Sequence, residues 1–345
     1  MMAPLRAAYL LFPACLALLT ASLASTSLAA LAEGGHGLLI VVSFPNLAYD
    51  VELLACEDDT VTSLAPPGMD PHDYQLTPSD VELLRRADLV VSTAHAPFEA
   101  DIRRLVEEGH LSAVLVELPR VPGVRLLVNP ITGQPNYHMP IYDPGNYRAF
   151  LSYLADVMAE LRPRKASYYE RARQAALERL DELVRAAPRL NLTAAADLPV
   201  VQYAVSWLGV ELSFLMVKEH GTPATPGDLV RLEEAFSGRS VRLAVVCEPA
   251  AASASERLLE LAEEHQVPVL YVPSPLTPTS VLEKLSILVG RASSLAGGGQ
   301  GQNGGGHAGG TLYRDASEAA LVLAVPILTA SALSAAVVLY GRRRW

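Results

Sequence analysis

The sequence has few cysteines, no basic run away from its ends and no nucleotide-binding loop, and each absence removes a class of function. The three cysteines, Cys15, Cys56 and Cys247, lack the spacing of a metal cluster or redox motif. We expect Cys56 and Cys247 to be buried free thiols. A net charge of −10 on 345 residues excludes an ordinary nucleic-acid binder. Because no G-x-x-x-x-G-K-[ST] loop occurs, the sequence predicts no P-loop for ATP, and any ATP hydrolysis that the protein depends on must come from another chain.

The two ends of the chain predict a protein held outside the cytoplasm. Residues 1–30 have the order of a secretory signal: a positive start, an apolar run and then small residues. Residues 319–340 are apolar over about the 20 residues that one membrane-spanning helix needs. The arginines at 342–344 predict a cytoplasmic C-terminus, with the folded body outside the cell membrane. The glycine-rich segment 296–316 predicts a flexible tether between body and anchor.

The apolar pattern of the body predicts an α/β fold with two lobes. Residues 37–142 and 188–295 each alternate short apolar runs with helical patterns, which indicates a mostly parallel sheet flanked by helices in each lobe. Residues 143–187 have no strand signal and predict one long linking helix with at most a kink at Pro163. In such a body a ligand is expected between the lobes, beyond the carboxyl ends of the strands.

Three of the eight histidines lie where predicted strands or helices meet loops. His72 follows a strand that ends near Leu64, in a loop stiffened by proline and glycine. His138 comes immediately before the linking helix, where Asp143 is expected either to cap the helix or to orient a histidine. His95 ends a further strand and is a candidate to face the cleft. Their local contexts distinguish these three histidines from the other five, which lie in loops or on polar helix faces.

Two segments resemble the signatures of the zinc/manganese substrate-binding proteins of ABC transporters. The run from Asp70-Pro71-His72 to Pro78-Ser79-Asp80, followed by Ala87-Asp88-Leu89-Val90-Val91, is similar to the first signature. His138 with Asp143-Pro144 is similar to the second. The resemblance extends from about Val41 to Leu288. It implies two lobes joined by a single long helix, with one divalent metal ion bound between them.

The resemblance also implies a set of ligands. His72 and His138 would be the ligands from the N-terminal lobe. In the C-terminal lobe, Asp197 lies within one residue of an expected ligand, and a helix N-cap is its alternative role. The acid that the family has near the end of a later strand is absent, because Ser274 stands there. Glu248 and His95 are the weaker candidates for the remaining position.

Two imidazoles with one or two carboxylates suit Zn²⁺ or Mn²⁺, and by softness Fe²⁺, as the transported ligand. We therefore expect a monomeric receptor, not an enzyme, that delivers the ion to an ABC permease with its cytoplasmic ATPase. Three alternatives stay open: a membrane-tethered metallohydrolase, a receptor for a metal chelate or corrinoid, and a surface adhesin. No H-E-x-x-H motif supports the hydrolase.

Overall fold

The N-terminal lobe is built on four parallel strands. The computed structural model describes residues 36–69, 72–219, 221–249 and 253–298. The elements of this lobe are β1 (Leu39–Val42), α1 (Pro45–Glu52), β2 (Thr60–Ser63), α2 (Pro78–Arg86), β3 (Leu89–Ser92), α3 (Pro97–Glu107) and β4 (Val114–Glu117). Their spatial order is β2-β1-β3-β4, and every neighbouring pair is parallel. All four residues of β3 are buried, which accounts for its continuous apolar run.

The segment between the lobes is a helical hairpin, which corrects the prediction of a single long helix. It consists of α4 (Pro144–Leu161) and α5 (Ala166–Ala186). An ion pair joins Arg148, near the start of α4, to Asp181, near the end of α5. The two helices therefore run antiparallel, and only α5 leads into the second lobe.

The reversal between the two helices has a local cause. The 3₁₀ turn Pro163–Lys165 separates them. A proline disfavours helical geometry at the residue before it, and Arg162 has left the helix with φ −139° and ψ 70°. Pro163 thus ends α4, where the sequence pattern predicted at most a kink.

The C-terminal lobe repeats the strand order of the first. Its elements are β5 (Leu192–Ala196), α6 (Val201–Ser206), β6 (Val210–Leu215), β7 (Val217–Glu219), β8 (Thr222–Pro223), α7 (Pro226–Ser237), β9 (Leu243–Glu248), α8 (Ser253–Glu264), β10 (Val269–Pro273) and α9 (Val281–Gly298). The main sheet is parallel in the order β10-β9-β5-β6. Counted from β6, this order is the second, first, third and fourth strand, as in the N-terminal lobe. The short pair β7–β8 is antiparallel.

One hydrophobic core runs through both lobes. It contains Ile40 and Val42 of the first sheet, Leu151 of α4, and Ala194 and Val245 of the second sheet, all fully buried. Both lobes belong to the compact unit that ends at Gly297. Because closely packed interiors resist sliding, this shared core limits how far the lobes can separate.

Cys56 and Cys247 are buried free thiols, as expected from the sequence.

The signal, tether and membrane anchor are predictions from the sequence alone. The predicted signal at 1–30, most of the tether and the predicted anchor at 319–340 lie outside the described residues. Within the residues that the structure describes, no helix has the length and apolar character to cross a bilayer.

Candidate metal centre

Three histidines of the N-terminal lobe converge at one place. His72 lies between β2 and α2, His95 between β3 and α3, and His138 before α4. The ring centroids of His72 and His95 are 5.1 Å apart, and those of His95 and His138 are 4.4 Å apart. The strand order reverses between β1 and β3, so the loop after β3 lies at the switch point of the sheet, where α/β proteins bind ligands, and the loop after β2 lies one strand away. His95 has the central position.

The spacing of these rings matches the size of a metal site. With Zn–N distances of about 2.0–2.1 Å, an imidazole centroid lies about 3.2 Å from the ion, so two tetrahedral ligands have centroids about 5 Å apart. Within the described ranges, however, no three His, Cys, Asp or Glu side chains already have donor atoms arranged to hold an ion. The ring spacing and the absence of a formed donor set are compatible, because one concerns ring centroids and the other concerns nitrogen positions. Rotation about the broad χ2 torsion of histidine moves the nitrogens while the ring centroids stay close together.

The loop that carries His72 is anchored by Tyr74. The Tyr74 hydroxyl lies 3.1 Å from the carbonyl oxygen of Leu64 at the end of β2, and 2.8 Å from Oδ2 of Asp80 in α2. The Tyr74 ring packs edge-to-face on Phe98 at a centroid distance of 4.9 Å. The loop is thus tied to the strand before it and to the helix after it, which restricts the position of His72.

The loop that carries His95 is built around the buried carboxylate of Glu99. This carboxylate accepts hydrogen bonds from the backbone N–H groups of Thr93, His95 and Ala96 and from the hydroxyls of Ser92 and Thr93, at 2.7–3.0 Å. This role of Glu99 was not among the predictions from the sequence. The available signal was a Glu at the third position of a helix that begins with proline, a pattern typical of an N-terminal cap.

His138 is held by a turn immediately before α4. Oδ1 of Asn136 lies 2.9 Å from the backbone nitrogen of His138 and 2.9 Å from its Nδ1. Met139 is in the left-handed region with φ 50°, which turns the chain into the helix. The carboxylate of Asp143 accepts the N–H of Asn146 at 3.0 Å, so Asp143 caps α4, the first of its two predicted roles.

A cavity of about 120 Å³ lies against the three rings, and residues of both lobes line it. The C-terminal lobe contributes Val200, Pro275 and Leu276, none of which has an ionisable side chain. Besides the histidines, the N-terminal lobe contributes Phe44, Asn46, Thr93, Tyr137 and Met139. Among the described residues, the lining therefore contains three imidazoles and no carboxylate.

Asp197 is absent from the lining of this cavity. Its carboxylate is buried and accepts hydrogen bonds from the N–H of Leu198 at 2.7 Å, the N–H of Cys247 at 3.0 Å and the hydroxyl of Ser255 at 2.7 Å. Burial raises the pKa of this carboxyl, and the three hydrogen bonds oppose the rise. Asp197 thus joins β5, β9 and α8 within its own lobe, which differs from the ligand role that the sequence predicted.

Glu248 also lies apart from the cavity lining. Its carboxylate forms an ion pair with Arg291, whose guanidinium donates in addition to the carbonyl oxygen of Tyr271 at 3.1 Å. The backbone N–H of Ser274, where the expected acid is missing, donates to the carbonyl oxygen of Glu248 at 2.7 Å. Of the five candidates from the sequence, the structure brings together only the three histidines.

Comparison with known proteins places the chain in context. Residues 40–284 match the family described as zinc-uptake complex component A, periplasmic (ZnuA). The manganese-binding lipoprotein MntA of Halalkalibacterium halodurans is 30% identical over 151 residues, which are 44% of this chain and 49% of that protein. The chain therefore spans about half the length of this curated relative.

Solved structures share the fold over about three quarters of the chain. A crystal structure of ZnuA has a TM-score of 0.60 at 20% identity, covering 76% of this chain and 98% of that one. FpvC of Pseudomonas aeruginosa in complex with Mn²⁺ has a TM-score of 0.59 at 18% identity, covering 75% and 99%. The periplasmic zinc-binding protein TroA of Treponema pallidum has a TM-score of 0.58 at 18% identity, covering 75% and 98%. These likenesses confirm an α/β fold with parallel sheets flanked by helices.

Proposed function

The chain belongs to the periplasmic zinc-uptake component A family, and on that premise we propose that it captures one Zn²⁺ ion in the cleft between its lobes. It then delivers the ion to an ABC permease driven by a separate ATPase. The single observation that carries this proposal is the convergence of His72, His95 and His138 on a cavity lined by both lobes. A binding component and not an enzyme was expected from the sequence, and the family agrees.

The donor chemistry favours Zn²⁺ as the cargo. Imidazole nitrogens are good ligands for Zn²⁺, whereas Mn²⁺ prefers carboxylate, carbonyl and water oxygens. Among the described lining residues three imidazoles and no carboxylate are present, which leaves the fourth position to water or to another polar group. Mn²⁺ is the second candidate, because the relative at 30% identity is named a manganese-binding lipoprotein.

The place of action follows from the ends of the sequence. We propose that residues 319–340 anchor the chain in the cell membrane and that the glycine-rich tether lets the body reach its permease. The relative named a lipoprotein supports a membrane-attached receptor in this family. Because one core joins the lobes, release of the ion is expected to involve local movement of loops and not wide opening.

Metal titration of the purified full-length chain tests the proposal. We expect one equivalent of Zn²⁺ per chain, with Zn²⁺ bound more tightly than Mn²⁺. His95→Ala removes the central ring, so its affinity loss should exceed the roughly 10–100-fold typical of removing an outer-shell partner. His110→Ala is the matched control, because His110 is 60% exposed and lies beside Glu108.

Two results would contradict the proposal. The first is tight binding that survives in a folded His95→Ala variant. The second is turnover of ester or phosphate substrates by the metal-loaded protein, which would favour the hydrolase over the receptor. Thermal unfolding of each variant shows whether a loss of binding reflects the site or a loss of fold.

A further inference from the structure

The buried side chain of Asn136 lies between His138 and the opposite lobe. Asn136 is 1% exposed, and its Oδ1 faces both the backbone nitrogen and Nδ1 of His138 at 2.9 Å. Its Nδ2 lies 2.9 Å from the carbonyl oxygen of Pro199 and 2.8 Å from Oε1 of Gln202. All four polar contacts that an asparagine amide can readily make are therefore present.

These partners determine which end of the amide is which. The carbonyl oxygen of Pro199 can only accept a hydrogen bond, so the atom facing it must be Nδ2 of Asn136. The amide of Gln202 is oriented in the same way, because its Nε2 lies 2.8 Å from the carbonyl oxygen of Val128. Oδ1 of Asn136 must then face His138.

This orientation fixes the tautomer of His138. Oδ1 of Asn136 is an acceptor, so the hydrogen of a neutral His138 ring must lie on Nδ1. Its Nε2 then carries the lone pair that a metal ion requires. A histidine whose second nitrogen donates to a fixed acceptor is the usual arrangement at metal sites.

The same group of residues ties the His138 segment to the C-terminal lobe. Pro199 and Gln202 lie at the start of α6, and the next residue, Tyr203, donates from its hydroxyl to the carbonyl oxygen of Asn136 at 2.6 Å. The Tyr203 hydroxyl also accepts the N–H of Leu127 at 2.8 Å. Thus His138 is held by the lobe opposite the one that holds His72 and His95.

We infer that Asn136 is a positioning residue for metal capture. It holds His138 in the Nδ1–H tautomer and joins the His138 segment to the C-terminal lobe by hydrogen bonds. The expected effect on metal affinity rests on the proposed function, whereas the tautomer of His138 is a property of the metal-free protein. The tautomer and the proposed function can therefore be contradicted independently.

Nitrogen-15 NMR of histidine-labelled, full-length protein without metal tests the tautomer directly, with the His138 signal assigned from a His138→Gln variant. In the wild type we expect His138 to carry its hydrogen on Nδ1. Asn136→Leu keeps the approximate volume but removes the acceptor, so a mixture of tautomers and a roughly 10–100-fold weaker Zn²⁺ affinity are expected. Asn136→Asp keeps an acceptor for His138 but loses the amide donor to Pro199 and Gln202, so the Nδ1–H tautomer should return while the free energy of unfolding falls.

Asn129→Leu is the matched control. Asn129 is also fully buried and also crosses between the lobes, with its Nδ2 2.8 Å from the carbonyl oxygen of Lys218, but its Oδ1 accepts backbone N–H groups and no histidine. A purely structural role for Asn136 predicts equal effects of both substitutions on affinity. An Nε2–H tautomer in the wild type, or an unchanged tautomer in Asn136→Leu, would overturn the inference. Absence of metal binding by the wild type would instead overturn the proposed function.

Discussion

The two lobes have the same strand order but use the ends of their strands differently. In the N-terminal lobe, the loops after β2 and β3 present His72 and His95 to the cleft. In the C-terminal lobe, Asp197 and Glu248 stand at equally suitable places after β5 and at the end of β9, and neither lines the cavity. One lobe supplies imidazoles, and the other supplies an apolar wall and the partners that hold His138.

A polar residue at a strand end can reach the cleft only if partners in its own lobe do not hold its side chain elsewhere. Glu99 and Asp197 are comparable buried carboxylates, and both are occupied by donors from their own lobe. If either carboxylate turned toward the cleft, its hydrogen-bond donors would be left buried and unsatisfied, which costs about 1–3 kcal/mol for each donor. The rings of His72, His95 and His138, by contrast, line the cavity in the cleft.

Removing Asp197 is the largest expected perturbation and tests whether the lobes really differ. Asp197→Ala leaves the N–H of Leu198, the N–H of Cys247 and the hydroxyl of Ser255 without their acceptor, so we expect a loss of about 5 kcal/mol in the free energy of unfolding. Urea denaturation measures this loss, and metal titration of the folded fraction should give a dissociation constant close to wild type. A weaker affinity with unchanged stability would return Asp197 to the metal site.

The contact between the lobes also contains a buried ionisable pair. Oδ1 of Asp50 in α1 accepts the hydroxyl of Tyr147 and the N–H of Val281, each at 2.7 Å. Burial raises the pKa of Asp50 from 3.8 to about 7, with the charge of Glu283 adding to the rise and that of Lys284 opposing it. Burial lowers the pKa of Lys284 from 10.5 to about 8.

These shifts predict a pH-dependent stability that Asp50→Asn should remove. Between about pH 4 and pH 7 the folded protein keeps a proton on Asp50 that the unfolded chain has released, so the free energy of unfolding falls as pH rises. By 1.36 kcal/mol per pKa unit, the fall amounts to about 4 kcal/mol. Lys284 acts with the opposite sign above about pH 8.

Urea denaturation of wild type and Asp50→Asn at several pH values, without metal, measures this effect as a difference. The contributions of all other titrating groups largely cancel in that difference. We expect the variant to gain stability relative to wild type as pH rises from 4 to 7. A difference that is constant with pH would contradict the prediction.

Adding an acid to the C-terminal lobe would reduce the contrast between the lobes. Leu276 lines the cavity and is 47% exposed, so Leu276→Asp brings a carboxylate to the rings at little cost to the fold. Because Mn²⁺ favours carboxylate ligands, its affinity should rise about tenfold, equivalent to 1.4 kcal/mol. Ile287→Asp is the control, since Ile287 is 45% exposed on α9 and does not line this cavity. Equal changes in both variants would indicate a general charge effect and not a new ligand.

The smallest effect is expected at Glu248. The side chains of Glu248 and Arg291 are 31% and 33% exposed, and partly exposed ion pairs contribute less than about 1 kcal/mol. Glu248→Gln should therefore lower the free energy of unfolding by less than that amount and leave metal affinity unchanged. Calorimetric metal titration decides the point, because a large loss of affinity would place Glu248 at the site.

Sequence patterns predicted the parallel sheets and named all three clustered histidines, with His95 only as a weaker candidate. They ranked Asp197 above His95, because Asp197 matched a family position and His95 was identified only by following a strand. The single linking helix was also a natural prediction, since apolar residues keep helical spacing on both sides of Pro163. The pairings of Arg148 with Asp181 and of Asp156 with Arg173 in the folded protein reveal that the chain turns back.

The sequence by itself determined the family, the two α/β lobes and the loops at which imidazoles follow strands, because these depend on local patterns of apolar residues and on short motifs. The tertiary structure alone decided which polar groups face the cleft. Asp197 is occupied by Ser255 and Cys247, and His138 is oriented through Asn136 by Pro199 and Gln202. Partners 50 or more residues away in the chain cannot be inferred from the spacing of neighbours, since a hydrogen bond requires atoms within about 3 Å in the folded protein.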